Sequence, residues 1–178
     1  AGGVRRVWVE KILDPNERLR DWPVSGTVGY EFLNDVCALF VDPAGEPELT
    51  RLWQQVSGDR REFGQVAFEA KLEQASGTFR PEVERLGRED PSVDVGTLPS
   101  ALASLPVYRT YVDPEAGRVD EADRHALAGL EVDIRRRLLL ELPSPPAFVT
   151  RFQQTTPAVM AKGVEDTAFY RYGRLLAL

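Results

Sequence analysis

The sequence predicts a mainly α-helical fold with short strands, and three observations carry that prediction. Apolar residues recur at i, i+3, i+4 and i+7 in several separate stretches, and Pro and Gly punctuate the ends of those stretches. Only two runs have strand length and a β-branched or aromatic character. At 178 residues, 43% apolar and 28% charged, the chain has enough material for one core and too little for a typical two-domain enzyme.

The first strand is expected within 4–13, where Val7, Trp8, Val9, Ile12 and Leu13 form an apolar run interrupted by Glu10 and Lys11. A strand buried on both faces reads as nearly continuous apolar residues, so a carboxylate inside it or at its end calls for a reason. Loop and helices then fill 14–105. Asp14-Pro15-Asn16-Glu17 breaks the run, and Pro23, Gly26 and Gly29 give the stretch to Tyr30 the composition of an ordered loop. Leu49, Leu52, Trp53 and Val56 mark a helix opened by Pro47 and closed by Gly58. Asp59 and Glu62 resemble a capping box ahead of a helical face made by Phe63, Val66, Ala67 and Ala70, and a short helix follows Pro81. Residues 88–97 are polar and hold Pro91 and Gly96, which predicts a flexible loop; Leu98, Leu102 and Leu105 predict a short helix stopped by Pro106.

The second strand is expected at 106–113, built on Val107-Tyr108-Arg109-Thr110-Tyr111-Val112. The region 114–178 is then helical. Its first part reads as the longest helix of the chain, capped by Asp120, with Leu127, Leu130, Ile134 and Leu138 as the buried stripe and Arg135, Arg136 and Arg137 near the end. Pro143, Pro145 and Pro146 end it, and a last helical segment runs from Pro157 to Leu178.

Composition narrows the function classes. The 22 basic and 28 acidic residues leave a net charge of -6, so no global positive field favours nucleic acid. No run reaches the 18 or more apolar residues of a membrane helix, and Ala1 to Arg6 lacks signal-peptide order, which predicts a soluble chain with no membrane partner. A single cysteine, Cys37, in an apolar context reads as a core residue and fits a reducing compartment, with the cytoplasm as the default. His125 has no second ligand at metal spacing and reads as a surface residue; Gly26-Thr27-Val28-Gly29 is too short for a phosphate loop.

Two groups of residues are candidates for chemistry. Glu10 stands near the C-terminal end of an apolar strand, where α/β barrels place catalytic groups; the plainer reading is an ion pair with Lys11, Arg5 or Arg6. Lys162, Glu165 and Asp166 stand three or four apart and would line one helical face; the plainer reading there is a solvated face with a surface pair. Tyr30, Tyr108, Tyr111, Trp22, Tyr170 and Tyr172 are aromatics able to stack on sugar rings or simply to pack.

Three stretches go further: VEKILDPNERLRDWPVSGTVGYEFLN (9–34), LPVYRTYV (105–112) and RFQQTTPAVMAKGVEDTAFYRY (151–172). Together they closely resemble the maltooligosyltrehalose synthase family, the (1→4)-α-D-glucan 1-α-D-glucosylmutases of the α-amylase superfamily of glycoside hydrolases. The departures are small: the family commonly reads GTTGYDF at 26–32, TTGPVMAKG where this chain has Thr155-Thr156-Pro157-Ala158, and RYN at 171–173. The resemblance implies a segment of a (β/α)8 catalytic barrel carrying a large helical insertion, acting on maltooligosaccharides or other α-1,4-glucans without cofactor or metal. Family members break the reducing-end α-1,4 bond and rejoin the released glucose by an α,α-1,1 link, with net retention. Three carboxylates share that work. Glu10 matches the acid/base glutamate; the nucleophilic aspartate and the third aspartate have no match, and are expected before residue 1 and after residue 178, so neither Asp14 nor Asp166 fills those roles. Lys162 and Glu165 match positions facing the sugar on the reducing-end side, and Tyr30 and the Tyr108-Arg109-Thr110 triplet are further nominations for sugar contact.

By this resemblance the chain is a middle section, a single fragment whose partners include the flanking parts of its own barrel, and it is expected to be inactive in isolation. Two other readings stand beside it: an independent helical interaction module, and an ordinary α-glucan hydrolase of the same superfamily.

Overall fold

A computed structural model describes residues 6–174, so Val4 and Arg5 of the expected first strand and the end of the expected last helix lie outside the described residues. The described residues are mainly helical, with two short strands. They divide into two compact units, one running to Arg60 and including Arg174, the other spanning Arg61–Gly173.

In the first unit, β1 (Trp8–Val9) pairs in parallel with β2 (Gly26–Thr27), Trp8 opposite Gly26 and Val9 opposite Thr27. The strand expected across 4–13 is therefore two residues long, and Trp8 is 54% exposed rather than buried on both faces. A parallel strand is buried by neighbours on each side and by helices above and below, and β2 is the one ladder partner described. Helix α1 (Tyr30–Ala38) follows, then α2 (Glu46–Ser57), whose Pro47 sits in its first turn and whose Gly58 ends it at φ 72°, a left-handed cap that suits glycine. The apolar stripe of α2 forms as its spacing predicts, yet neither α1 nor α2 has a buried side chain. Cys37, expected in a core, is exposed on α1 for the same reason.

The second unit holds the core. Helices α3 (Phe63–Ser76), α4 (Arg80–Glu89), α5 (Leu98–Ser104), α6 (Glu121–Leu127), α7 (Val132–Leu138) and α8 (Pro146–Met160) surround Leu86, Leu98, Leu102, Leu127, Ile134, Leu138, Phe148 and Phe152, all essentially inaccessible. The expected longest helix is in fact two. A reciprocal capping box between Asp120 and Asp123 starts α6, and the Glu131 side chain accepts from the Asp133 and Ile134 amides to start α7. The predicted stripe is still buried, because the break at 128–131 keeps Leu127, Leu130, Ile134 and Leu138 pointing inward.

Two further expectations are corrected. Residues 88–97 are anchored rather than free: Val93 joins the core, and buried Asp90 accepts from Ser92, Ser144 and Arg137. Burial alone would raise the Asp90 pKa, but those hydrogen bonds and the Arg137 charge outweigh it and leave the carboxyl below its ordinary value. The strand expected at 106–113 is an irregular segment that bends at 106–108 and, among the described residues, has no strand partner apart from a bridge between Asp113 and Arg118. Side chains replace the ladder. The Val112 amide donates to Gln153 Oε1 at 2.7 Å, Gln153 Nε2 donates to the Val112 carbonyl at 2.9 Å, and the Tyr111 amide donates to Asp123 Oδ1 at 2.8 Å.

The last helical segment starts at Pro146, eleven residues earlier than Pro157. Pro157 lies inside α8 and removes the amide that would reach the Gln153 carbonyl, which instead accepts from Thr156 Oγ1 at 3.3 Å. Just beyond, Ala161–Ala168 winds as a π-helix, followed by the single turn α9 (Phe169–Arg171).

Candidate active site

The sequence candidates fall into two groups, one in each unit. In the first, Glu10 directly follows β1 and is exposed; the Tyr30 hydroxyl, at the start of α1, donates to its Oε1 at 2.9 Å. Twenty residues separate the two, and the parallel β1–β2 pairing brings the start of α1 back beside the end of β1. The ion pair considered for Glu10 with Lys11 does not form. Lys11 is buried, and its ammonium binds Glu17 at 2.7 Å, with both side chains less than a tenth exposed. Successive residues along extended backbone point to opposite sides, so Lys11 turns inward and Glu10 outward. Nearby, Thr27 donates to the Glu31 carboxylate, which ties β2 to the first turn of α1.

The second group lies on the π-helix and the 105–112 segment. The Tyr108 hydroxyl donates to Glu165 Oε1, joining residues 57 apart in the chain. Lys162 and Glu165 do not share a face. The i→i+5 bonding of a π-helix widens the turn, so residues four apart align better than residues three apart, and Lys162 meets Asp166 at 2.6 Å on the exposed side. That bond holds the Lys162 pKa above its ordinary value. The Thr167 hydroxyl reaches back to the Lys162 carbonyl at 2.8 Å. Arg109 lies over the Tyr111 ring, 5.3 Å from its centroid, and its Nε is buried without a hydrogen-bond partner.

One residue of this second group has no counterpart among the sequence candidates. Lys71, on α3, is 8% exposed; its ammonium donates to the Leu105 carbonyl at 2.8 Å, and desolvation lowers its pKa to about 8. The signal lay in the helical face of Val66, Ala67 and Ala70, because Lys71 follows Ala67 by four and must share that buried stripe. Gly163, between Lys162 and Glu165, is buried against the same residue. A Cβ at Gly163 would stand 2.7 Å from Lys71 Cα and 2.9 Å from its amide nitrogen, so only glycine allows this approach. His125 is exposed, as its context predicts. Among the described residues, no helix is long and apolar enough to cross a membrane.

No protein-family model matches the chain. Putative maltooligosyl trehalose synthases from two strains of Mycobacterium tuberculosis, CDC 1551 / Oshkosh and ATCC 25618 / H37Rv, are each 32% identical to it over 180 residues. The alignment covers 96% of this chain and 24% of those relatives, so the chain spans about a quarter of their length. Solved structures agree. The maltooligosyltrehalose synthase from Arthrobacter ramosus superposes with a TM-score of 0.77 at 37% identity, over 96% of this chain and 24% of that one. A hypothetical maltooligosyl trehalose synthase from Sulfolobus tokodaii gives 0.78 at 28% identity, over 96% and 22%.

Proposed function

We propose that this chain is a segment of an intramolecular transglucosylase that converts the reducing-end α-1,4 bond of a maltooligosaccharide into an α,α-1,1 bond, as in maltooligosyltrehalose formation. The observation that carries the reading is the likeness to the Arthrobacter ramosus enzyme, which extends over 96% of the chain in both sequence and fold. On this reading the first unit contributes part of a (β/α)8 barrel of the α-amylase type, with β1 as one of its strands, and the second belongs to a helical insertion and the acceptor-side wall. The protein works in the cytoplasm, without cofactor or metal.

Glu10 is the general acid/base in this scheme. Its position just past β1 is where a parallel barrel presents reactive groups, and Tyr30 holds one carboxyl oxygen while the other stays open to donate to a glycosidic oxygen. Retention needs two displacements. Glu10 first gives its proton to the glycosidic oxygen while a carboxylate from elsewhere in the full-length protein takes the sugar. It then accepts the proton of the released glucose's anomeric hydroxyl as that oxygen attacks the anomeric carbon of the enzyme-bound sugar and displaces the carboxylate. Asp14 and Asp166 take no part: the first lies in the turn where Lys11 and Glu17 pair, and the second is engaged by Lys162.

Glu165, with Tyr108 and Arg109, holds the released glucose so that it outcompetes water; Lys162, turned away from Glu165 and paired with Asp166, joins them only by exchanging that partner for a sugar hydroxyl. Glu165 has one carboxyl oxygen fixed by Tyr108, which leaves the other to orient a sugar hydroxyl, and the Lys162 ammonium is exposed beside its Asp166 partner. A hydrolase of the same superfamily is the alternative, and the products separate the two. Incubating the full-length protein that carries this segment with maltopentaose should give mainly a non-reducing, trehalose-capped product. Free glucose and maltotetraose as the only products would establish the hydrolase instead.

A further inference from the structure

We propose that Lys71 is a positioning residue for the Tyr108–Glu165 pair, seating the 105–108 segment and the 161–168 turn on the same point of α3. This rests on the acceptor-side reading given above, and it concerns a residue that touches neither the sugar nor the reacting atoms.

The 105–112 segment bends at 106–108 and, among the described residues, has no neighbouring strand to register it. Side chains hold its backbone, Gln153 at Val112, Asp123 at Tyr111 and Lys71 at Leu105. Of these, the Lys71 bond fixes the point where the chain leaves α5, three residues before Tyr108. Pro106 follows, so the direction of the chain is set from that carbonyl onward. Lys71 also meets the other half of the pair. Its backbone and Cγ lie so near Gly163 that a single added carbon would stand 2.5 Å from the Cγ, and Gly163 is one residue after Lys162 and two before Glu165.

A lysine is an expensive way to fill this space. Burial holds its ammonium well below the ordinary lysine range, whereas methionine would occupy a similar volume without that penalty. What lysine adds is a donor that reaches the Leu105 carbonyl. An O–H···O bond such as that between Tyr108 and Glu165 tolerates only a few tenths of an ångström in length, so a slip of either seat would part the two groups.

The test uses the full-length protein acting on maltopentaose, with free glucose and trehalose-capped product measured over one time course, alongside thermal unfolding. Lys71→Met keeps the stem and removes the donor. It should raise the ratio of free glucose to capped product roughly tenfold, while total bond cleavage falls less than capped-product formation. Lys71→Arg, which can donate to the same carbonyl, should bring the ratio back to within about twofold of wild type. A change in melting temperature alone, with the ratio unmoved in Lys71→Met, would reduce Lys71 to a structural residue and overturn the proposal. If Lys71→Met does not fold, Lys71→Gln, shorter and neutral, is judged by the same ratio. Absence of capped product from the wild-type protein would overturn the functional reading itself, a result distinct from an active wild type with an unmoved ratio.

Discussion

The two units of this chain obey the same sequence rules and end up differently. In the second unit, apolar stripes at helical spacing become a core: Leu86, Leu98, Leu102, Leu127, Phe148 and Phe152 are inaccessible. In the first, an equally regular stripe on α2 leaves Leu52 52% and Val56 76% exposed, and Phe32 on α1 72% exposed. Amphipathic spacing therefore predicts that a helix forms and which face is apolar, but not whether that face is covered. The polar groups invert the pattern. The second unit hides Lys71, Asp90 and Asp123 in its interior, whereas the first buries the Lys11–Glu17 ion pair and leaves its candidate catalytic carboxylate open.

The largest expected effect follows from the core. Phe152→Ala should cost about 3–5 kcal/mol of stability, because the ring is fully enclosed and its loss leaves a cavity. Urea unfolding of the chain measures it, and a cost under about 1 kcal/mol would mean that the second unit is not a packed core.

The buried lysine gives an intermediate effect with a defined sign. Its folded pKa, about 8, lies below the 10.5 of an unperturbed lysine, so between those values the unfolded chain holds a proton the folded one has lost. Stability should therefore rise with pH across that window and be lost as pH falls through it. Measured relative to Lys71→Met, the gain should be roughly 2–3 kcal/mol. A flat difference between pH 8 and 10.5 would show that Lys71 is solvated.

The smallest effect belongs to the first unit. Leu52→Ala should change the stability of this chain by less than about 0.5 kcal/mol, as for an ordinary surface position. The same substitution in a full-length protein sharpens the contrast. A cost there of about 2 kcal/mol or more would identify the α2 stripe as a face that other segments cover.

What the sequence discloses divides along physical lines. Helix positions were legible wherever a local signal sufficed: Pro47 and Gly58 bracket α2, Asp120 caps α6, and the stripe from Leu127 to Leu138 is buried as its spacing requires. Sequence and structure part where distant side chains decide. Tyr108 to Val112 has strand composition, yet Gln153 and Asp123 take its backbone hydrogen bonds in place of a neighbouring strand. The residues after Pro157 have helical spacing, yet the π turn rotates Lys162 toward Asp166 and away from Glu165. Of the site, Glu10 is marked by its strand-end position and Tyr30 by the family resemblance, but their hydrogen bond depends on strand pairing. Lys71 was hidden because one charged residue in an apolar stripe reads as an exposed edge until its carbonyl partner is seen.

The proposed function divides the labour, giving bond cleavage to Glu10 and the fate of the released glucose to Glu165. The most direct measurement compares Glu10→Gln and Glu165→Gln in the full-length protein on maltopentaose, following free glucose and trehalose-capped product together. Glu10→Gln should slow both products by about 10²–10⁴-fold and leave their ratio unchanged, since every turnover needs the acid/base. Glu165→Gln should retain much of the cleavage and raise the ratio of glucose to capped product by roughly tenfold, as water takes the place of a loosened acceptor. Glu10→Gln activity close to wild type, or an unchanged ratio in Glu165→Gln, would contradict the account.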